Sequence, residues 1–178
     1  METEILYLVR QSKKGRKEAF GKLYTLYLKK VYRFIYYMVY DTAVAQDLTQ
    51  DTFFKVWRSI SGFREDKGTF SGYLFAIARN VVIDYSRKKK ESRIGPEMED
   101  NIASSEDIEE QLVAEENRKD VQNSLQKLDG DSRQLIIFRY FEELSISQIG
   151  EVLGKKDGNV RVLIFRALKK LKKIMGGK

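Results

Sequence analysis

Two residue types are missing from this 178-residue chain: it has no cysteine and no histidine. Without cysteine there is no disulfide, no thiolate zinc site and no cysteine nucleophile. Without histidine the commonest general base and the commonest metal ligand are gone. An enzyme built here would have to work with carboxylates, Lys, Tyr, Ser or Thr. The composition therefore weighs against catalysis, and we expect no catalytic set, no metal site and no cofactor. Proline occurs once, at Pro96. Long apolar runs are missing too: the longest near the N-terminus, Phe34 to Tyr40, is far too short to span a bilayer. The opening segment METEILYLVRQSKKGRK has neither the apolar core nor the small-residue cleavage site of a secretory signal. The expected location is the cytoplasm, without membrane insertion.

Hydrophobic residues make up 42% of the chain, enough to build real cores. The net charge is +7, but it is unevenly distributed. Residues 91–116 hold ten acidic residues against one basic, Arg93, which leaves 32 basic and 16 acidic residues elsewhere. Two basic bodies separated by an acidic strip suggest a polyanionic partner for the bodies.

Apolar residues recur at helical spacing, with no strand-like alternation. Phe20, Tyr24, Tyr27, Val31, Phe34 and Met38 step by three or four, as do Leu48, Thr52, Phe53, Val56 and Trp57, and then Leu74, Ile77, Val81 and Tyr85. The pattern predicts an all-α protein. Residues 1–90 form a first helical domain, 91–116 a flexible acidic linker around Gly95 and Pro96, and 117–178 a second domain. Ser105 and Asp107 suit the start of a helix running to about Leu128, where Gly130 interrupts it. A further helical pattern from Leu135 ends near Glu143.

The segment SISQIGEVLGKKDGNVRVLIFRALKKLK, residues 145–172, is a helix-turn-helix pattern. Ser145 with Gln148 three positions on is a capping box. Gly154 suits a positive-φ stop. The second helix packs through Val160, Ile164, Ala167, Leu168 and Leu171. Its outward face offers Arg161, Arg166, Lys169 and Lys170 to phosphates or base edges. A plain helical hairpin with a solvated basic face would show the same pattern.

Within DLTQDTFFKVW, residues 47–57, Asp47, Gln50 and Asp51 share one helix face. Carboxylates at i and i+4 repel, so they call for a cationic partner or an incoming ligand. A docking patch for a basic protein surface, a weak metal site and a merely solvated face all fit. In GFREDKGTFSGYLFAIARNVVIDYSRKKK, residues 62–90, a loop over 61–72 precedes a helix. Opposite that helix's apolar stripe lie Asn80, Asp84 and Arg87. Phe70, Tyr73 and Phe75 near the loop suit either base stacking or the core.

Taken together, these segments resemble bacterial sigma factors of the extracytoplasmic-function group of the sigma-70 family. DLTQDTFFKVW is similar to region 2.2, FSGYLFAIARNVVIDYSRKKK to regions 2.3 to 2.4, and LDGDSRQLIIFRYFEELSISQIGEVLG with DGNVRVLIFRALKKL to region 4. The resemblance implies a subunit that binds core RNA polymerase, through its β′ clamp and β subunit, and recognises and helps melt promoter DNA. It implies polymerase contacts at Asp47, Gln50 and Asp51. It implies −10 element contacts at Phe70, Ser71, Asn80, Asp84 and Arg87, with the loop 63–71 holding an extruded base. It implies −35 element contacts at Arg139, Asn159, Arg161, Phe165 and Arg166, and an anti-sigma factor as a further candidate partner. The linker would thread through the polymerase, where its acidity suits a cationic channel.

The chain departs from the family at three places. Lys156 stands where Ser or Thr commonly caps the recognition helix, so that Asp157 is expected to take the cap. Asn159 stands where Thr is common. Val162 and Leu163 replace a frequent polar Ser–Arg pair. Two other classes are compatible with parts of the pattern. One is an ordinary helix-turn-helix regulator that binds duplex DNA as a dimer without polymerase. The other is a carboxylate-metal nuclease or phosphohydrolase using Asp47 and Asp51.

Overall fold

A computed structural model of the chain describes residues 2–92 and 120–176. Beyond Ser92, the linker expected over 91–116 lies outside the described residues, as do Ser105 and Asp107. The described residues are helical, with no strand among them. In the first domain α1 spans Glu2–Lys13, α2 Lys17–Val39, α3 Thr42–Ser59 and α4 Phe70–Ser92. In the second, the described part of α5 covers 120–126. It is followed by α6 over Gly130–Ile136, α7 over Ile146–Leu153 and α8 over Asp157–Met175.

Local chemistry sets the joints. Helix α2 stops where Tyr40 turns left-handed, at φ 54°, and returns its N–H to the Tyr36 carbonyl. One residue later the Asp41 carboxylate accepts from the Val44 N–H at 2.9 Å and opens α3, satisfying one of the orphan donors of a helix start. Gly130 does break the pattern, but as the first residue of a new helix: Asp129 is the N-cap of α6 and accepts from the Ser132 N–H. After α6 the backbone widens into a π-helical stretch over Ile137–Phe141, where the sequence predicts a regular helix. Glu143 then takes a positive φ of 56°.

The two domains expected from the sequence pack against each other. The buried apolar residues of α1–α4 and of α5–α8 form one continuous cluster. At its centre Phe138 stacks on Phe34 at 4.6 Å and meets Phe75 edge-on at 5.7 Å, and all three rings are fully buried. Burial of that kind is worth roughly 1.5–3 kcal/mol per side chain. Beside the rings, Arg33 donates to both carboxylate oxygens of Glu142, at 2.7 and 3.0 Å, and to the Phe141 carbonyl. On α4, Arg79 donates to the buried side chain of Gln134 at 2.9 Å. Burial pushes the Glu142 carboxyl above the usual carboxylate range, while Arg33 pulls it the other way.

Candidate nucleic-acid interface

The helix-turn-helix is built as the sequence predicts. Ser145 and Gln148 form the reciprocal capping box of α7. Gly154 ends α7 at φ 62°, a conformation glycine takes without steric cost. The turn is tight because Gly150 lies under it: a Cβ there would meet the Lys155 carbonyl oxygen at 2.6 Å. Helix α8 then buries Val160, Ile164 and Ala167. Its start differs from expectation. Lys156 is the N-cap, without a side-chain cap hydrogen bond, and Asp157 is the first helical residue. There its charge favours the positive end of the helix without closing a cap.

Asn159, Arg161, Phe165 and Arg166 are all exposed on α8. Arg139 is exposed as well, although one of its nitrogens donates to the Leu144 carbonyl at 3.0 Å. Lys170 is not a free cation of this face. Its ammonium pairs with Asp129 at 2.7 Å and reaches the Ser132 hydroxyl at 3.2 Å. The hydrogen bond from Lys170, helped by those of Ser132, draws the Asp129 carboxyl down to about 2.

In the first domain, the loop between Phe63 and Thr69 is tied to α1. Arg10 grips Glu65 with two nitrogens, and Lys13 donates to the Phe63 carbonyl at 2.7 Å. The loop borders a cleft of about 890 Å³ whose walls include Tyr27, Lys30, Gly68, Thr69 and Ser71. Ser71 lies against the Tyr27 hydroxyl at 2.9 Å. Phe70, which the sequence leaves open between base stacking and the core, lies in the core. It is only 3% exposed and packs edge-on against Tyr27 and Phe63. Phe75 is also fully buried, so these two rings support the loop from within. Asn80 and Arg87 are exposed on α4, and Asp84 pairs with Arg87 at 3.4 Å.

What lies across that loop has no signature in the sequence. Glu151 of α7 accepts from both the N–H and the hydroxyl of Thr69, each at 2.8 Å. Thr69 in turn accepts from the Gly72 N–H and starts α4, so the carboxylate faces the positive end of a 23-residue helix. Gly68 and Gly72 leave the room it fills, since a Cβ at either would lie within 3 Å of the Glu151 carboxylate. Glu151 is one of several acids in its helix, with no local motif to single it out.

On α3, Asp47 and Gln50 are exposed and Asp51 half-buried. The repulsion between Asp47 and Asp51 is relieved from within the helix by Lys55, whose ammonium lies 3.0 Å from Asp51. Phe54 continues this face, highly exposed, with the Arg58 guanidinium over its ring. The aspartates at 47 and 51 were legible as a face, whereas the aromatic that extends it was not.

A helical body carrying an exposed acidic and amide face, joined to a capped helix-turn-helix with a basic outer face, is the arrangement of a helix-turn-helix protein. Comparison with known proteins narrows that class. Sigma-70 region 2 matches residues 23–92, and Sigma-70, region 4 matches residues 118–171. The chain is 30% identical to the ECF RNA polymerase sigma factor SigW of Bacillus subtilis, over 97% of both chains. It is 31% identical to the ECF RNA polymerase sigma factor BldN of Streptomyces coelicolor, over 96% of this chain and 66% of that one. In fold it is similar to CnrH in complex with the cytosolic domain of CnrY, with a TM-score of 0.74, 24% identity and 97% of each chain covered. It is similar also to the sigma factor RpoE from Bartonella quintana in complex with the anti-sigma factor NepR, with a TM-score of 0.64, 22% identity, and 88% and 96% covered. The chain belongs to the extracytoplasmic-function group of the sigma-70 family of RNA polymerase sigma factors.

Proposed function

We propose that the chain works as a promoter-specificity subunit: α3 docks on core RNA polymerase through Asp47, Gln50 and Asp51. In this reading the 63–71 loop with Ser71, Asn80, Asp84 and Arg87 receives the melted −10 element. Helix α8, through Asn159, Arg161, Phe165 and Arg166 and with Arg139 nearby, meets the −35 duplex. It has no catalytic step of its own. Binding of strand and duplex is the work, and polymerase does the chemistry. The observation that carries the reading is the outer face of α8, where four exposed side chains follow a capped, glycine-terminated turn on the side opposite its buried stripe. Helices placed in that way enter a major groove with cations against phosphate and the central side chains against base edges.

The packed arrangement adds a condition. Elements centred at −10 and −35 lie about 25 base pairs apart, roughly 85 Å along B-form duplex. In the packed chain the Thr69 end of the −10 loop touches the first helix of the helix-turn-helix at 2.8 Å. The two readers therefore have to part before both engage one promoter. Core polymerase, holding each domain separately, supplies that separation and the effective concentration for the second contact.

The test is reconstitution. Full-length protein mixed with bacterial core polymerase is expected to direct selective transcription from a genomic library. The Gln50→Ala, Asp51→Ala double variant is expected to lose core affinity by roughly 2–5 kcal/mol with helicity unchanged, as for truncated charged contacts at an interface. Wild-type affinity of that variant for core, or tight site-selective DNA binding by the free protein as a dimer, would refute the reading.

A further inference from the structure

Val162 and Phe165 are large apolar residues left in solvent, 48% and 67% exposed. At about 100° per helical residue, Val162 and Phe165 project about 200° and 140° round α8 from Val160, the fully buried anchor of the opposite side. Arg161 and Arg166 fall on either flank, at about 100° and 240°. The face opposite the core is thus an apolar ridge with a guanidinium on each side. Gly158, on the same face at the N-terminal end, has open space where a Cβ would be. The ridge is therefore unobstructed from the first turn onward.

We infer that Val162 and Phe165 read thymine, through its 5-methyl group, at the −35 positions beneath them. The inference rests on the proposed function, since it takes the outer face of α8 to lie in a major groove. A helix in that groove sets the centre of its face on base edges and its flanks towards the two phosphate backbones. The thymine 5-methyl is the one apolar group the four standard bases present there. The flanking arginines fit the phosphates on both sides, and this charge complementarity selects a polyanion over an apolar protein surface as the occupant. Val162 takes a polar position's place in the family pattern. A serine there can bond several base edges, whereas valine can only gain from a methyl and loses by desolvating a polar edge it cannot pair. The chain is thereby tuned to a narrower set of −35 sequences than a polar residue would allow.

The probe is the promoter duplex that wild-type holoenzyme selects from a library randomised upstream of the −10 element. That duplex is resynthesised with deoxyuridine for each thymidine of the −35 element, which removes only the methyl. Wild-type holoenzyme is expected to enrich thymine at one or more −35 positions and to bind the matching uracil duplex about fourfold more weakly, the worth of one buried methyl. Val162→Ser, a change on an exposed helical position, is expected to abolish most of that sensitivity while leaving core affinity unchanged. Phe165→Ala serves as the second variant. Equal binding of thymine and uracil duplexes by a selective wild-type holoenzyme overturns the inference alone. So does methyl sensitivity that survives undiminished in both Val162→Ser and Phe165→Ala. Loss of core affinity in Val162→Ser, without methyl sensitivity in the wild type, overturns it and gives the ridge to a protein partner. Failure of the wild type to bind core or to select any promoter overturns the proposed function, and this inference with it.

Discussion

Replacing Arg33 by alanine should part the two domains. Glu142 is only 2% exposed, and Arg33 supplies both of its side-chain hydrogen bonds and its nearest counter-charge. Without that guanidinium a carboxylate is left buried and unpaired, a loss that typically costs about 3–5 kcal/mol. The Arg33 side chain is 36% exposed, so water can partly replace it and the lower end applies. About 3 kcal/mol shifts the ratio of packed to parted molecules by roughly a hundredfold. The pH dependence has a defined sign. Burial already raises the Glu142 carboxyl, and loss of Arg33 raises it further. The packed form then binds a proton more tightly than the parted form. It recovers as pH falls through that raised value and is lost as pH rises through it. The absence of native cysteine makes the assay simple. Cysteines introduced at the exposed positions Lys14 and Lys173 carry a donor and an acceptor dye, and energy transfer reports the packed state. We expect Arg33→Ala to lose transfer at pH 8 and regain part of it at pH 5. The apolar pair Arg33→Met with Glu142→Leu should stay near wild type, because it removes both charges together. Undiminished transfer in Arg33→Ala at pH 8 would show that the ion pair does not hold the domains together.

Gly72→Ala should loosen the domain contact by displacing the Glu151 carboxylate. Its Cβ would lie 2.1 Å from a Glu151 carboxylate oxygen, which must swing off Thr69, yet alanine favours α4 locally, so the same dye pair should report a smaller loss of transfer than in Arg33→Ala, without loss of helical signal. Gly150→Ala should destabilise the second domain by about 1–3 kcal/mol, the usual range for overpacking, because the new methyl meets the Lys155 backbone oxygen. Gly158→Ala, with nothing in its way, should leave the melting temperature equal or higher, and similar melting of both variants would contradict the close approach. Asp129 should titrate at about 2 when followed by carboxylate NMR, and move up towards the ordinary carboxylate range in Lys170→Met. Its depressed value means that the stability it contributes is full above the ordinary carboxylate range and is lost as pH falls towards 2.

The sequence by itself determined the helical class, the division into two basic bodies and the helix-turn-helix. Those features rest on local rules. Apolar spacing of three and four fixes α2, α3 and α4, and the Ser145–Gln148 box and Gly154 act within one turn of themselves. The faces of α3 and α8 followed from the same periodicity, so Asp47, Gln50, Arg161 and Arg166 came out exposed where expected. What the sequence could not decide were pairings between residues far apart in the chain. Arg33 and Glu142 are 109 positions apart, and Thr69 and Glu151 are 82; no local pattern distinguishes them from other charged residues on helix surfaces. Nor could it tell a stacking aromatic from a core aromatic, since Phe70 and Phe75 point about 140° apart on α4 and both are buried only because different neighbours cover the two sides. The removal of Lys170 from the DNA face has the same origin, because its partner Asp129 is brought to it only when α6 folds against α8. Periodicity gives each helix its inner and outer sides, but which surface covers an inner side is decided only when distant segments compete for it in three dimensions.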